Sequence, residues 1–181
     1  MDGVSGAAQE PGAADRLRRR LMWKMPSGLY LLGSRDGQRR NLMTLNWATQ
    51  VATEPKLLGV SVQVAAVTHG LIEEGRAFSL NVLKREDRAV VRKFVKPVDP
   101  SEVEVDESGS GTMRQVRVRQ DATGSPVLVG AVGWLDCELR HAVPLGSHTL
   151  FVGEVVSSGF AEGGEEAEVL RMEDTRMNYG G

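Results

Sequence analysis

Short segments with the alternation of β-strands recur along most of this chain, and they constrain its fold more than any other feature. In residues 77–83, for example, large apolar side chains and smaller or polar ones alternate with a period of two. Segments predicted to be strands are residues 29–32, 41–54, 57–62, 77–83, 115–120, 127–132, 134–142, 148–159 and 166–172. Helical spacing is confined to residues 15–23, 68–75 and 85–94, so strands and helices do not alternate regularly. The pattern predicts a mainly β protein, an antiparallel barrel with a few short helices, and not a doubly wound parallel sheet.

The segments between these elements predict turns and a division of the chain. Residues 34–37 read as a turn, and Pro55 is expected to end the strand before it. Residues 97–112 contain two prolines, several acids and the run Ser-Gly-Ser-Gly, which predicts a loop or a mobile flap. We expect residues 1–20 to form a disordered or helical arm, with disorder over 1–14. Residues 21–165 would then form the barrel domain, and 166–181 a last strand and a tail.

Composition excludes several classes of function. The chain has 181 residues, a net charge of −2 and a pI near 6.0, so nothing in its charge predicts binding to nucleic acid or to an anionic membrane. Its single cysteine, Cys137, fits a reducing compartment and is expected in the core. No apolar run approaches the roughly 20 residues of a membrane span, and the arginines of residues 16–20 precede no signal-peptide core. We therefore expect a cytoplasmic protein.

The common catalytic motifs are also absent from the sequence. No glycine-rich dinucleotide fingerprint follows a strand, and there is neither a P-loop nor a nucleophile elbow. The histidines His69, His141 and His148 show no metal-ligand spacing with Cys137. Because one thiol is a poor two-electron carrier, any redox chemistry would require a bound cofactor.

The stretch NLMTLNWATQVATEP, residues 41–55, is unusually polar for a buried strand. Strand parity places Thr44, Asn46, Ala48 and Gln50 on one face, opposite a face that is mostly apolar. Such a small, polar face suits a flat heteroaromatic ring with carbonyl and N–H groups, and Trp47 could form an aromatic wall or a subunit contact. A barrel strand with one solvated face explains the same pattern, and the pattern alone leaves both interpretations open.

An ordered series of motifs extends this stretch over residues 25–160. The motifs are GLYLL from Gly28, NLMTLNWATQV from Asn41 with Glu54-Pro55, LGVSV from Leu58, Thr68-His69, FSLNVL from Phe78, Phe94, GSPVL from Gly124, LDCE from Leu135 and GSHTLFVGEV from Gly146. The series resembles the flavin reductase-like family, whose members bind FMN in a split β-barrel. The form of the second motif is most similar to the flavoredoxin-type branch.

The resemblance implies a cofactor site and one catalytic residue. The ring of FMN would lie along the 41–55 strand and its neighbour, the phosphate at the start of the 68–75 helix, and a lysine or arginine after the 77–83 strand would complete the phosphate site. The implied cofactor-binding residues are Met43, Thr44, Asn46, Trp47, Ala48, Thr49, Ser61, Val62, Thr68, His69, Asn81, Leu83, Lys84 and Arg85. His148 matches the histidine of the family's Gly-Asp-His motif, near the ring and the nicotinamide, but Ser147 stands where Asp is usual.

The function implied by the resemblance is that of an FMN-dependent oxidoreductase with NADH or NADPH as co-substrate. Hydride would move from C4 of the nicotinamide to N5 of the flavin, and the protein would be a homodimer that binds neither nucleic acid nor membrane. A flavin-binding electron carrier or sensor without NAD(P)H turnover is an alternative that the serine at 147 keeps open. A deazaflavin- or haem-binding protein on the same barrel is another.

Overall fold

The structure is a computed structural model, and it describes residues 12–177. Residues 1–11 of the segment predicted to be disordered and residues 178–181 of the predicted tail lie outside the described residues. Within them are the helices α1 (Ala13–Met22), α2 (Val67–Gly75) and α3 (Arg88–Lys93). The strands are β1 (Tyr30–Asp36), β2 (Arg39–Leu45), β3 (Ala48–Thr53), β4 (Lys56–Gln63), β5 (Ala77–Val82), β6 (Val103–Val105), β7 (Gly111–Met113), β8 (Val116–Gln120), β9 (Pro126–Leu128), β10 (Gly133–Leu145) and β11 (His148–Phe160).

Seven of the strands form one antiparallel sheet in the order β2-β1-β5-β10-β11-β4-β3. Its two edge strands, β2 and β3, are consecutive in the chain and are joined only by Asn46 and Trp47. The sheet therefore curls into a split barrel, and this two-residue step crosses the split. The prediction of a mainly β barrel with short helices is confirmed.

The barrel interior and the outer face of the sheet hold separate apolar cores. Alternation along β1 shows the division, because Leu31 belongs to the outer core and Leu32 to the interior one. The interior core includes Phe78, Cys137 and Phe151, and the outer core lies between the large sheet, α3 and a second antiparallel sheet of order β6-β7-β8-β9. Cys137 is fully buried, as expected, and burial raises the pKa of its thiol to about 12.

The structure corrects two of the predicted segments near the site. The strand over 41–54 is interrupted at Asn46 and Trp47, because the chain passes there from one edge of the sheet to the other. The predicted loop at 97–112 is largely ordered: it contains a 3₁₀ turn (Pro100–Glu102) and the strands β6 and β7, which pair with each other and with β8.

Several predicted bounds also move. Strand β1 continues through the predicted turn to Asp36, so the chain reverses at Gly37 and Gln38. Helix α3 is shorter than predicted. The predicted last strand, 166–172, is reduced to two isolated bridges, Gly28 with Arg171 and Lys84 with Val169.

One half of β10 has a strand on only one side. Strand β10 pairs with β11 along its length, but with β5 only over Gly133–Glu138. From Arg140 to Leu145, no other strand in the described part of the chain pairs with its second edge, and this half is exposed, including Val143 and Leu145. The β10–β11 hairpin therefore projects from the barrel with an open, partly apolar edge.

Candidate functional site

The tip of the projecting hairpin holds His148 in a defined setting. Leu145 pairs with His148 across a two-residue turn, and Gly146 adopts φ +75, the left-handed conformation that such turns favour. Ser147 lies within 2.9 Å of His148, from Oγ to Nδ1. Its carbonyl accepts a hydrogen bond from the N–H of Val64 at 3.0 Å, so the turn is anchored to the segment after β4.

The two-residue step across the split lies against this tip. The ring centroids of Trp47 and His148 are 5.0 Å apart and their planes are inclined at 55°. The carbonyl of Trp47 accepts a hydrogen bond from the N–H of Ser61 on β4 at 3.0 Å. The structure therefore brings together four residues that the sequence assigned to the site: Asn46, Trp47, Ser61 and His148.

Asn46 is the residue of this group with an unmet hydrogen bond. Its side chain is 7% exposed, and its Oδ1 has no hydrogen-bond partner within residues 12–177. A buried amide oxygen without a donor costs about 1–3 kcal/mol, so folded proteins rarely leave one unless something else supplies the donor. The N–H edge of a heteroaromatic ring is a donor of the right kind, and the residues present therefore fit a flavin.

The start of α2 is close by, but its side chains are committed to the protein. Thr68 accepts a hydrogen bond from Asn41 Nδ2 at 2.8 Å. His69 is buried, with Nε2 at 2.8 Å from Thr149 Oγ1 and its ring 5.0 Å from that of Phe151. A phosphate contact at this helix, as the sequence predicted, would therefore fall to backbone N–H groups.

The side chains of several other residues predicted to contact the cofactor pack against the protein itself. The Thr44 hydroxyl donates to the carbonyl of Val91 at 2.5 Å, which ties β2 to α3. Met43 and Ala48 pack against the interior core, and Val62 belongs to it. These residues lie in the strands as predicted, and their side chains contact the interior core or α3. Thr49 is exposed on β3, and its hydroxyl donates to the neighbouring carbonyl of Gln50.

The side chains of Asn81 and Leu83 are buried and contact other parts of the protein. Asn81 is fully buried: its Nδ2 donates to the carbonyl of Leu31 at 3.1 Å, and its Oδ1 accepts from the N–H of Leu128 at 2.7 Å. It therefore joins β5 to β1 and to β9, and both of its polar atoms are occupied. Leu83 is fully buried in the outer core.

Lys84 and Arg85 do not lie beside the start of α2. Thr68 is bonded to Asn41, which is within one residue of the level of Ser79 on β5. Lys84 is five residues further along, roughly 15–20 Å at strand spacing. Arg85 is paired with Asp174 at 2.9 Å and with Glu168 at 3.4 Å. In a single chain the two halves of the predicted phosphate site are therefore apart.

Two clefts elsewhere on the surface are separate from this group. One, of about 560 Å³, has Arg35, Arg40 and Asp121 among its lining residues. The other, of about 610 Å³, is lined by Lys84, Arg85, Glu86, Arg88, Ala167 and Glu168. Neither includes Trp47 or His148, so we assign the site from the unmet acceptor and the ring contact.

Metal chemistry and a membrane span find no support in the described residues. No three His, Cys, Asp or Glu side chains of residues 12–177 lie close enough together to hold a metal ion. No helix in that range has the length and apolar character to cross a bilayer.

The sequence did not predict the residues that fix the start of α2 on the sheet. Asn41 bridges Thr68 and the N–H of Val98, which donates to its Oδ1 at 2.9 Å. Thr149 holds His69. Both lie in strands whose period-two pattern was recognised, but a pattern gives no sign of which helix covers the buried face.

Comparisons with known proteins agree with this geometry. Residues 22–180 match the family described as flavin reductase like domain. An NADPH-flavin oxidoreductase from Streptomyces viridifaciens is 32% identical over 158 residues, which are 84% of this chain and 78% of that protein.

Two solved structures share the fold. The NADH:FAD oxidoreductase of Streptomyces globisporus C-1027 superposes with a TM-score of 0.74 at 25% identity, covering 91% of this chain and 92% of the other. An FMN-binding protein from Thermus thermophilus, solved with bound p-hydroxybenzaldehyde, gives 0.65 at 28% identity, covering 90% and 83%. The family match over most of the chain and the shared split barrel lead to one conclusion: this chain belongs to the flavin reductase-like family.

Proposed function

We propose that this protein is an NAD(P)H-dependent flavin oxidoreductase that binds FMN beside Asn46, Trp47, Ser61 and His148. The observation that carries the proposal is the buried, unpartnered Oδ1 of Asn46 at the split of the barrel. Asn46 precedes Trp47, whose ring contacts that of His148, in a chain of the flavin reductase-like family.

Each residue of the group has a distinct task in this proposal. Asn46 accepts a hydrogen bond from an N–H of the ring. Trp47 provides an apolar surface, and its own backbone is held by Ser61. His148, half-buried at the hairpin tip, lies where a nicotinamide would approach. The bound flavin supplies the hydride acceptor, and the protein contributes position and the exclusion of water.

The choice of cofactor and co-substrate is part of the proposal. The relatives include an NADPH-flavin oxidoreductase, an NADH:FAD oxidoreductase and an FMN-binding protein. We propose FMN for this chain, as the sequence resemblance implies, with either NADH or NADPH as the reductant. A cytoplasmic location and an absence of binding to nucleic acid or membrane remain predictions from composition.

We also propose a homodimer that completes the site. The open edge of β10 from Arg140 to Leu145 presents backbone groups and exposed apolar side chains, which proteins normally cover. This edge belongs to the hairpin that carries His148, the residue whose ring contacts Trp47. A second copy on this edge would enclose the flavin.

The visible spectrum of the purified protein tests flavin binding directly. We expect flavin absorbance, or its appearance with saturable quenching when FMN is added to colourless protein. Steady-state NADH and NADPH oxidation with FMN then separates the enzyme from the carrier, since a carrier binds FMN without turnover. A preparation that binds no flavin but takes up deazaflavin or haem would contradict the proposal.

The role of Asn46 is tested by Asn46→Leu, which keeps the size of the side chain. We expect FMN affinity to fall about 5- to 150-fold, because about 1–3 kcal/mol follows from the loss of a buried hydrogen bond. Unfolding of the flavin-free protein should require equal or more denaturant, since an unmet acceptor has been removed.

Ser34→Ala is the matched control for that experiment. Ser34 Oγ is also buried and has no hydrogen-bond partner within residues 12–177, but it lies on β1, away from the step at Asn46 and Trp47. The variant should likewise keep or gain stability while FMN affinity stays at the wild-type value. Equal affinity in Asn46→Leu and wild type would move the flavin away from the split.

A further inference from the structure

We propose that the cleft at the turn between β1 and β2 binds a small molecule that carries a phosphate monoester. Arg35 on β1 and Arg40 on β2 line this cleft, whose volume is about 560 Å³. Such a volume is large enough for a sugar phosphate. None of the residues of the proposed flavin site lines the cleft, so the inference goes beyond the proposed function and does not depend on it.

The two arginines lie directly opposite each other in the β1–β2 ladder. Arg35 is the register partner of Arg40, so the two side chains project from the same face of the sheet. Both residues are half-buried, and like charges placed opposite each other destabilise a pair of strands. The next pair of the ladder, Asp36 with Arg39, has opposite charges and forms a salt bridge of 2.8 Å. The hairpin therefore contains one neutralised pair and one pair of facing positive charges.

The protein supplies neither of these arginines with a counterion. Arg35 donates to two backbone carbonyls, from Nε to Thr123 at 3.2 Å and from Nη1 to Gly37 at 3.4 Å. Arg40 donates from Nη1 to the backbone and side-chain oxygens of Gln38. In the part of the chain that the structure describes, neither arginine forms an ion pair with a carboxylate. Two guanidinium groups that share a cleft without a counterion are suited to bind a dianion.

The acidic residues that also line the cleft have partners of their own. The carboxylate of Asp106 accepts a hydrogen bond from the Ser108 hydroxyl at 2.6 Å, and that of Asp121 accepts one from Trp134 Nε1 at 2.5 Å. The third acid, Glu107, is exposed. Carboxylates accept hydrogen bonds from hydroxyl groups, so these residues can bind the sugar of a sugar phosphate while the arginines bind its phosphate.

Charge and geometry favour a phosphate monoester among small anions. Such a group carries a charge of about −1.5 to −2 at pH 7, which matches two guanidinium groups, and each guanidinium presents a planar fork of donors to its oxygens. Gly124 leaves room for one of them. It adopts φ +77, and a Cβ at this position would lie 2.7 Å from Cζ of Arg35. The turn that ends at Gly124 thus seats the Arg35 guanidinium beside the cleft.

Isothermal titration calorimetry with ribose 5-phosphate and with inorganic phosphate tests the site. Saturating FMN is present, so that neither probe occupies the flavin site, and ionic strength is held constant. We expect saturable binding to the wild-type protein and about 10- to 100-fold weaker binding to Arg40→Gln, which loses charge-assisted hydrogen bonds. Arg39→Gln is the matched control. It removes the same charge from the same hairpin, but Arg39 does not line the cleft, and its affinity should equal that of wild type.

The stability of Arg40→Glu gives a second measurement. A carboxylate opposite Arg35 replaces a repulsive pair by an attractive one, so the urea midpoint in phosphate-free buffer should rise. Millimolar phosphate should raise the midpoint of wild type saturably, because it binds the folded state, and should not raise that of Arg40→Glu. Arg39→Glu breaks the salt bridge with Asp36 and should lower the midpoint while keeping the effect of phosphate.

Three results would overturn the proposal. They are a wild-type protein that binds neither probe saturably, equal affinities in wild type and Arg40→Gln, and equal affinities for ribose 5-phosphate and malonate. Malonate is a dicarboxylate of similar charge, which we expect to bind more weakly. Absence of NAD(P)H turnover would contradict the proposed function alone, since these measurements require no turnover.

Discussion

The buried polar side chains of the described residues are of two kinds. Some have all their polar atoms hydrogen-bonded within the protein, and others have an atom without a hydrogen-bond partner there. Asn41 and Asn81 have both polar atoms occupied, whereas Asn46 Oδ1 has no partner in the described chain. Asp136 is fully buried and accepts hydrogen bonds from Thr123 N at 2.7 Å and Thr123 Oγ1 at 2.6 Å. Burial nevertheless outweighs these bonds and raises the pKa of Asp136 above its ordinary value.

A raised pKa in the folded state makes the stability of the protein depend on pH in a definite direction. Between the ordinary aspartate pKa near 3.8 and the raised value, the folded protein binds more protons than the unfolded chain. The contribution of Asp136 to stability therefore falls as pH rises through that window and is constant above it. We expect Asp136→Asn to remove this slope, measured by urea unfolding from pH 4 to 7. The exposed Glu107→Gln should retain it, and identical slopes in wild type and Asp136→Asn would contradict the assignment.

At the level of elements, α3 is held by a residue from a distant hairpin. Arg114 and Gln115 form the turn between β7 and β8 with φ +48 and +62, the left-handed pair of a tight hairpin turn. The guanidinium of Arg114 donates to the carbonyl of Lys93, the last residue of α3, and to those of Lys96 and Pro97 beyond it, and pairs with Glu102 at 2.7 Å. One side chain thereby satisfies one of the carbonyl groups that a helix end leaves free and two in the segment that follows.

Replacing this arginine should loosen the contact between the second sheet and the end of α3. We expect Arg114→Ala to lower the free energy of unfolding by about 1–3 kcal/mol, because charge-assisted hydrogen bonds of a mostly buried group are lost. Arg114→Lys should recover only part of it, since an ammonium lacks the planar fork of donors. Denaturant unfolding measures both, and the exposed Arg117→Ala on β8 is the control. A loss in Arg117→Ala equal to that in Arg114→Ala would reject the special role of the turn.

The elements that the sequence predicted well are those whose own side chains carry the pattern. Strands β4, β5, β10 and β11 lie within a few residues of prediction because each presents alternate side chains to a core. The break at Asn46 was missed, since period-two alternation continues through it and only the order of strands in the sheet requires it. The strands of 97–112 were missed because pairing with β8 overrides a composition rich in turn residues.

The dependence on strand order and register also explains which predicted site residues lie in contact with one another and which do not. Trp47 and His148 were assigned by motif and are in contact. Lys84 follows a correctly predicted strand, but its distance from Thr68 depends on register between strands, which no local pattern contains.

For the whole molecule, the segment after β11 closes the fold. Leu170 is 1% exposed in the outer core; its N–H donates to the carbonyl of Leu83, and its carbonyl accepts from the N–H of Leu29. The chain is thereby inserted between the continuations of β1 and β5, which pair directly only from Tyr30 and Val82 onward. Residues distant in sequence are thus joined by a segment that the sequence predicted merely as a strand and tail.

Truncating this side chain should affect global stability. We expect Leu170→Ala to cost about 2–5 kcal/mol in the free energy of unfolding, the range for a buried leucine that leaves a cavity. The neighbouring Val169→Ala, at a position 41% exposed, should cost far less. Chemical denaturation followed by far-UV circular dichroism measures both. Similar small losses in the two variants would show that the segment is peripheral to folding.

The two-residue crossing at Asn46 and Trp47 also bears on the order in which the protein assembles. The hairpins β1–β2 and β3–β4 on either side of it are local in sequence, but they lie at opposite edges of the sheet. The step between them acquires its shape only after both hairpins have joined the strands that separate them, which are distant in the chain. Under the proposed function, the flavin site would therefore form only in the fully assembled barrel, and flavin binding would report that folding is complete.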